Sequence, residues 1–147
     1  MNQITTQYVT ENGACYEQYV ITDPAAKTSL TITPERGGMI TGFTLDGDEY
    51  IWTRRPNFSE CNRPRFGVPV LFPSCGNPDG GVHNFDGKAY PMETHGFADL
   101  CGWDVESVGP DGVTLALEST PLTKFLYPFD FTLLVNYNLE GNKAAIS

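Results

Sequence analysis

The chain has 147 residues, room for one domain rather than two. With 40% hydrophobic and 18% charged residues it can bury a core and does not read as disordered. Nine Lys and Arg against eighteen Asp and Glu give a formal charge of −9, which argues against nucleic acid and membrane surfaces as partners and leaves neutral small molecules unopposed. No apolar run approaches the roughly 18 residues of a spanning helix. The N-terminal "MNQITTQYVTENG" has no apolar stretch of the secretory kind. Cys15, Cys61, Cys75 and Cys101 form no CxxC pair, so the expectation is reduced, partly buried thiols in a cytoplasmic protein.

Taken in chain order, the pattern predicts strands at 16–21, 29–33, 39–45 and 49–52, then 68–72, 103–108, 113–119 and 129–139. Val113, Leu115 and Leu117 share one face by alternation, as do Phe129, Phe131, Leu133, Val135, Tyr137 and Leu139. Asp-Gly pairs in "LDGDEY", "FDGKAY" and "GPDGVT" signal tight hairpins between strand-like segments. No stretch of helical period interrupts them. The expected fold class is therefore all-β, an antiparallel sandwich or barrel. Residues 53–98 are richer in loops, with "VPVLF" set between "TRRPNFSECNRPRFG" and "PSCGNPDGGVHNFDG"; loops this long inside a compact domain commonly carry function. After 129–139 the sequence predicts a turn at Glu140–Asn142 and a strand that stops as it begins. The expectation is a single sandwich domain over 1–147 that is incomplete at its C-terminus, with self-association of the fragment through an uncovered core.

A sugar site needs forked donors for vicinal hydroxyls, an apolar wall for the C–H face and a group that exchanges a proton. Arg65, His95, Phe97 and Trp103 supply those types if the 68–72 segment and the loop around His95 line one cleft. Other readings stand beside this one. Phe97 and Trp103 also suit a sandwich interior, Arg65 a surface ion pair, and Asp99 a plain surface charge. His83 reads as part of a solvated hairpin. Four arginines within "TRRPNFSECNRPR" suggest an anion or carboxylate contact in an acidic protein.

The run Arg65, Gly67-Val68-Pro69, Phe72-Pro73, Gly76, then Tyr90, Met92, His95-Gly96-Phe97-Ala98 and Trp103 resembles the aldose 1-epimerase (galactose mutarotase-like) superfamily, nearest its glucose-6-phosphate 1-epimerase-like branch. The likeness covers nearly the whole chain, with about forty residues carrying its specific part. The resemblance implies a β-sandwich of about twice this length. It implies an isomerase that interconverts α and β anomers of a hexose without a cofactor. A carboxylate takes the proton of the anomeric hydroxyl, a histidine protonates the ring oxygen, and the ring opens, rotates and recloses. It also implies His95 as an active-site histidine near the ring oxygen and Arg65 as a contact to substrate hydroxyls or phosphate. The family's general-acid histidine and general-base glutamate are expected further along than Ser147. Asn77 and Asp99 stand where that branch commonly has arginine, which favours a neutral sugar over a sugar phosphate, or a paralogue of altered function. Asn77 and Phe97 complete the candidate substrate-binding set, and no metal site is expected. The alternative is a non-catalytic carbohydrate-binding or sugar-sensing protein on the same scaffold.

Overall fold

The structure, a computed structural model, describes residues 1–53, 59, 63, 65–110 and 112–147. Two antiparallel sheets face each other. One orders β1 (Gln3–Glu11), β2 (Ala14–Asp23), β3 (Thr28–Thr33), β4 (Met39–Leu45) and β5 (Asp48–Glu49) as a meander. The other runs β11 (Lys143–Ile146), β10 (Thr132–Glu140), β9 (Gly112–Glu118) and β8 (Asp104–Val108), and a separate hairpin joins β6 (Val82–Phe85) to β7 (Lys88–Pro91). The all-β, antiparallel sandwich expected from the pattern is what the chain forms. Turn chemistry sets the hairpins: Asp46-Gly47 and Asp86-Gly87 take positive φ at both positions, the geometry that matches strand twist. Asn12-Gly13 does the same between β1 and β2.

The core lies between the sheets. Ile21, Leu30 and Ile32 meet Val113, Leu115, Val135, Tyr137 and Leu139, all buried, with Ala98 and Trp103 closing one end. Alternation along β9 and β10 puts these side chains inward, as expected for Val113, Leu115, Leu117, Val135, Tyr137 and Leu139; Phe129 is instead exposed and precedes the strand. A polar link crosses the core: the buried Tyr137 hydroxyl donates to the Gly38 carbonyl. Gly38, at φ +61°, carries no Cβ because one would sit 2.8 Å from the Trp103 ring. A second link runs from the Thr28 hydroxyl to the Gly141 carbonyl at 2.6 Å.

Two expected strands come out differently, and one strand was not expected. The 49–52 strand ends at Glu49, because its carboxylate accepts the amides of Phe43 and Ile51, both at 2.8 Å, and curls the chain out of the ladder. The 68–72 segment is extended but not a strand. Pro69 and Pro73 lack donors, and among the described residues the segment's ladder pairing is limited to isolated bridges from Val68 to Ile40 and from Phe72 to Gly96, while Val68, Val70 and Phe72 pack against the core. β1 was not expected at all: most of its residues are exposed, so it carries no alternation to read, yet it pairs with β2 along its whole length. The short strand after Asn142 pairs with β10. Arg54, Arg55, Cys61 and Asp111, each part of the sequence reading, lie outside the described residues. Among the described residues no helix is long and apolar enough to cross a membrane.

Candidate functional site

An aromatic cluster fastens the β6–β7 hairpin to the rest of the molecule. Phe85 packs on Tyr127 and Phe129 at 5.6 and 5.1 Å between ring centroids, and Tyr127 in turn meets Phe72 at 5.5 Å. Phe72 continues onto Phe131 and Phe97 at 4.9 and 6.0 Å. Rings at these separations and tilts attract beyond their buried area. Beside this cluster opens a cleft of about 1160 Å³, ample for a monosaccharide, and Arg63, Arg65, Asn77, Glu93, His95, Phe97 and Asp99 are among its lining residues.

The backbone at His95 has an unusual conformation. His95 and Gly96 stand one after the other at φ +71° and +73°, and a left-handed histidine costs roughly 1–2 kcal/mol. The turn is held by the Gly96 amide on the Glu93 carbonyl and the His95 amide on the Gly76 carbonyl, both 3.0 Å. Directly after it, the amides of Phe97 and Ala98 both donate to the Phe72 carbonyl, at 2.9 and 3.1 Å. That oxygen is why position 96 is glycine: a Cβ there would lie 2.2 Å from it. The imidazole Nδ1 is 3.0 Å from the Cys75 carbonyl. A carbonyl only accepts, so Nδ1 carries the hydrogen and Nε2 is left as the ring nitrogen for the cleft, an acceptor when the ring is neutral and a donor when it is protonated. Tertiary contacts thus hold a strained residue with one ring nitrogen committed, a pattern typical of functional positions.

The second feature is a buried ion pair. Asp99, 1% exposed, accepts from Nη1 of Arg63 on both oxygens, at 2.6 and 2.7 Å. Nη2 of Arg63 donates to the Gly96 carbonyl at 2.7 Å and lies 3.7 Å from the exposed Glu93 carboxylate. Burial pushes the Asp99 carboxyl above the usual range, against the opposing pull of Arg63. The plain surface charge expected of Asp99 is therefore corrected: the short 3-10 turn Ala98–Leu100 carries it inward, against the Arg63 guanidinium. Sequence reasoning missed Arg63 as an individual residue. The available signal was an acidic residue in place of a basic one at 99, together with an arginine-rich loop in an acidic protein.

Arg65 is exposed at the cleft, which brings it and His95 to one cavity. Asn77 is exposed on the same cleft, and its side-chain oxygen accepts from the Thr94 hydroxyl at 3.0 Å. Phe97 contributes to the lining but is 6% exposed, its ring engaged with Phe72 and Phe131. Trp103 is buried away from the cleft, its indole N–H on the Ala98 carbonyl at 3.0 Å. His83 stacks edge-on against Phe85 and does not line the cleft. Among the described residues no group of three or more His, Cys, Asp and Glu is placed to hold a metal ion. The cleft thus offers a proton-exchanging ring, a forked cation, an amide and apolar walls.

A family model described as Aldose 1-epimerase matches residues 17–147. Among solved structures, the Slr1438 protein from Synechocystis sp. PCC 6803 is 29% identical with a TM-score of 0.85, over 99% of this chain and 50% of that one. A galactose mutarotase related enzyme from Lactobacillus acidophilus is 25% identical with a TM-score of 0.66, over 94% of this chain and 40% of its own. The galactose 1-epimerase from Lactobacillus acidophilus NCFM, 17% identical with a TM-score of 0.68 over 95% and 46%, shares the fold. This chain spans about half the length of these proteins. No curated protein sequence matches it.

Proposed function

Because this chain belongs to the aldose 1-epimerase family, we propose that it acts on the hemiacetal of a hexose, interconverting α and β anomers by acid–base ring opening. The reaction passes the proton of the anomeric hydroxyl to a carboxylate base and protonates the ring oxygen from an imidazolium acid; the C1–O5 bond breaks, C1–C2 rotates, and closure on the other face returns each proton to the group it came from. His95 presents Nε2 to the sugar. Arg65 and Asn77 take its hydroxyls, and the apolar lining that includes Phe97 meets its C–H face. No cofactor is needed, because the reaction is redox-neutral and moves only protons. The free thiols of Cys15, Cys75 and Cys101 suit a reducing cytoplasm. The observation that carries the reading is that Arg65 and His95 line one sugar-sized cleft.

Anomer exchange measured by NMR with freshly dissolved single anomers tests it. Acceleration over buffer that falls at least about tenfold in a His95→Asn variant is expected; no acceleration for any common aldohexose would overturn catalysis by this chain.

A second reading, sugar binding without exchange, is favoured by the engagement of Asp99 with Arg63. That leaves the exposed Glu93 as the other carboxylate among the described lining residues. Binding of a hexose with unchanged anomer exchange would select it.

A further inference from the structure

Accepting the cleft as a sugar site, we infer that the Asp99–Arg63 pair sets its substrate class: the pair cancels the cation on the cleft floor, so the site takes a free aldose and rejects its phosphate monoester. Among the described lining residues two guanidiniums, Arg63 and Arg65, face two carboxylates, Glu93 and Asp99. The lining therefore has no net charge to offer a phosphate dianion, which is held by paired cations with free N–H groups.

The Arg63 guanidinium is already committed as a cation. Its Nη1 donates to both oxygens of Asp99, and its Nη2 donates to the Gly96 carbonyl with the Glu93 carboxylate 3.7 Å away. A phosphate drawing on Arg63 would have to break a buried ion pair and leave Asp99 uncompensated. It would also approach two carboxylates of its own sign, an element of repulsion that discriminates without touching the sugar ring. The same pairing has a positioning role, because the Arg63 contact to the Gly96 carbonyl braces the turn that presents His95. Arg65 is left as the cation that can fork onto neutral hydroxyls.

The test is the ratio of affinities for an aldohexose and its 6-phosphate, read by titration calorimetry or ligand-observed NMR on the full chain. Wild type is expected to bind the free hexose at least about tenfold more tightly. Asp99→Asn keeps the shape and uncovers the Arg63 charge, and it is expected to shift the ratio toward the phosphate by about tenfold or more. The double variant Arg63→Gln with Asp99→Asn removes both charges and is expected to return the ratio toward the wild-type value. A merely structural role for the pair would not move this ratio. A wild-type preference for the phosphate, or a folded Asp99→Asn variant with an unchanged ratio, overturns the inference. Should Asp99→Asn fail to fold, the exposed Glu93→Gln decides: a two- to threefold gain for the phosphate, roughly, is expected of a rim charge, and no gain overturns it. If neither hexose nor phosphate binds wild type, the sugar reading falls first and this one with it; a preferred phosphate ester sinks this one alone.

Discussion

Between the sheets, position is decided by side chains. Ile21, Leu30, Leu115 and Tyr137 are inside because they occupy alternate places on paired strands, and any of several apolar residues of similar volume could stand there. At Arg63 and in the loops of residues 65–103, position is decided by backbone. His95 and Gly96 are left-handed, two amides converge on the Phe72 carbonyl, and a buried ion pair replaces hydrocarbon packing. The core tolerates chemical variation and resists loss of volume, whereas the cleft tolerates little change in backbone angle and its outer side chains can be exchanged at small cost in stability.

That contrast is sharpest where volume is removed. Leu115→Ala, at a fully buried position, is expected to cost about 3 kcal/mol in urea unfolding while leaving the hexose affinity of the folded fraction unchanged. A loss below about 1 kcal/mol would show that the sheets do not close on each other there. Gly96→Ala adds only a methyl group, but it does so 2.2 Å from a backbone oxygen at φ +73°. It is expected to cost about 2–3 kcal/mol and, unlike the core change, to weaken sugar binding as well. If it unfolds with the wild-type midpoint, the turn is not built as described.

The ion pair divides the regions by pH. Burial holds the Asp99 carboxyl above its usual range, so the folded state keeps that proton to higher pH than the unfolded chain. Its contribution is fully present below the ordinary carboxylate range and is lost as pH rises through the raised value. The stability difference between wild type and Asp99→Asn, followed by urea unfolding from acid to neutral pH, should therefore move against wild type as pH rises across that window. A difference that moves in wild type's favour would mean that Arg63 outweighs burial. The smallest effect on stability is expected from His95→Gly. It relieves a left-handed histidine, so the variant should unfold within about 1 kcal/mol of wild type, on the stable side. Anomer exchange should nevertheless fall to the buffer rate. A clear loss of stability would mean that the Nδ1 contact to Cys75 outweighs the strain.

Much of the sandwich was legible. β3, β4, β9 and β10 fall within segments the pattern marked as strands, alternation places Val113, Leu115, Val135, Tyr137 and Leu139 inward, and the Asp-Gly turns mark two of the hairpins. β1 was not, because an edge strand exposed over most of its length has no buried face to pattern its residues. At the site, the motif pointed to His95 and Arg65 by residue type and order. Asp99 was misjudged and Arg63 went unnoticed because an ion pair between residues 36 apart leaves no local signal in either stretch.

By itself the amino-acid order determined the all-β class of fold and, through the run of residues from Arg65 to Trp103, the family the chain resembles. The first rests on periods and turns of a few residues, which local sterics enforce; the second rests on residue identities and their order. Only the tertiary structure decided which side chains share the cleft, which imidazole nitrogen is free and which arginine has already been neutralised. Those depend on loops from distant parts of the chain meeting at hydrogen-bond distance, and no short-range pattern encodes such a meeting.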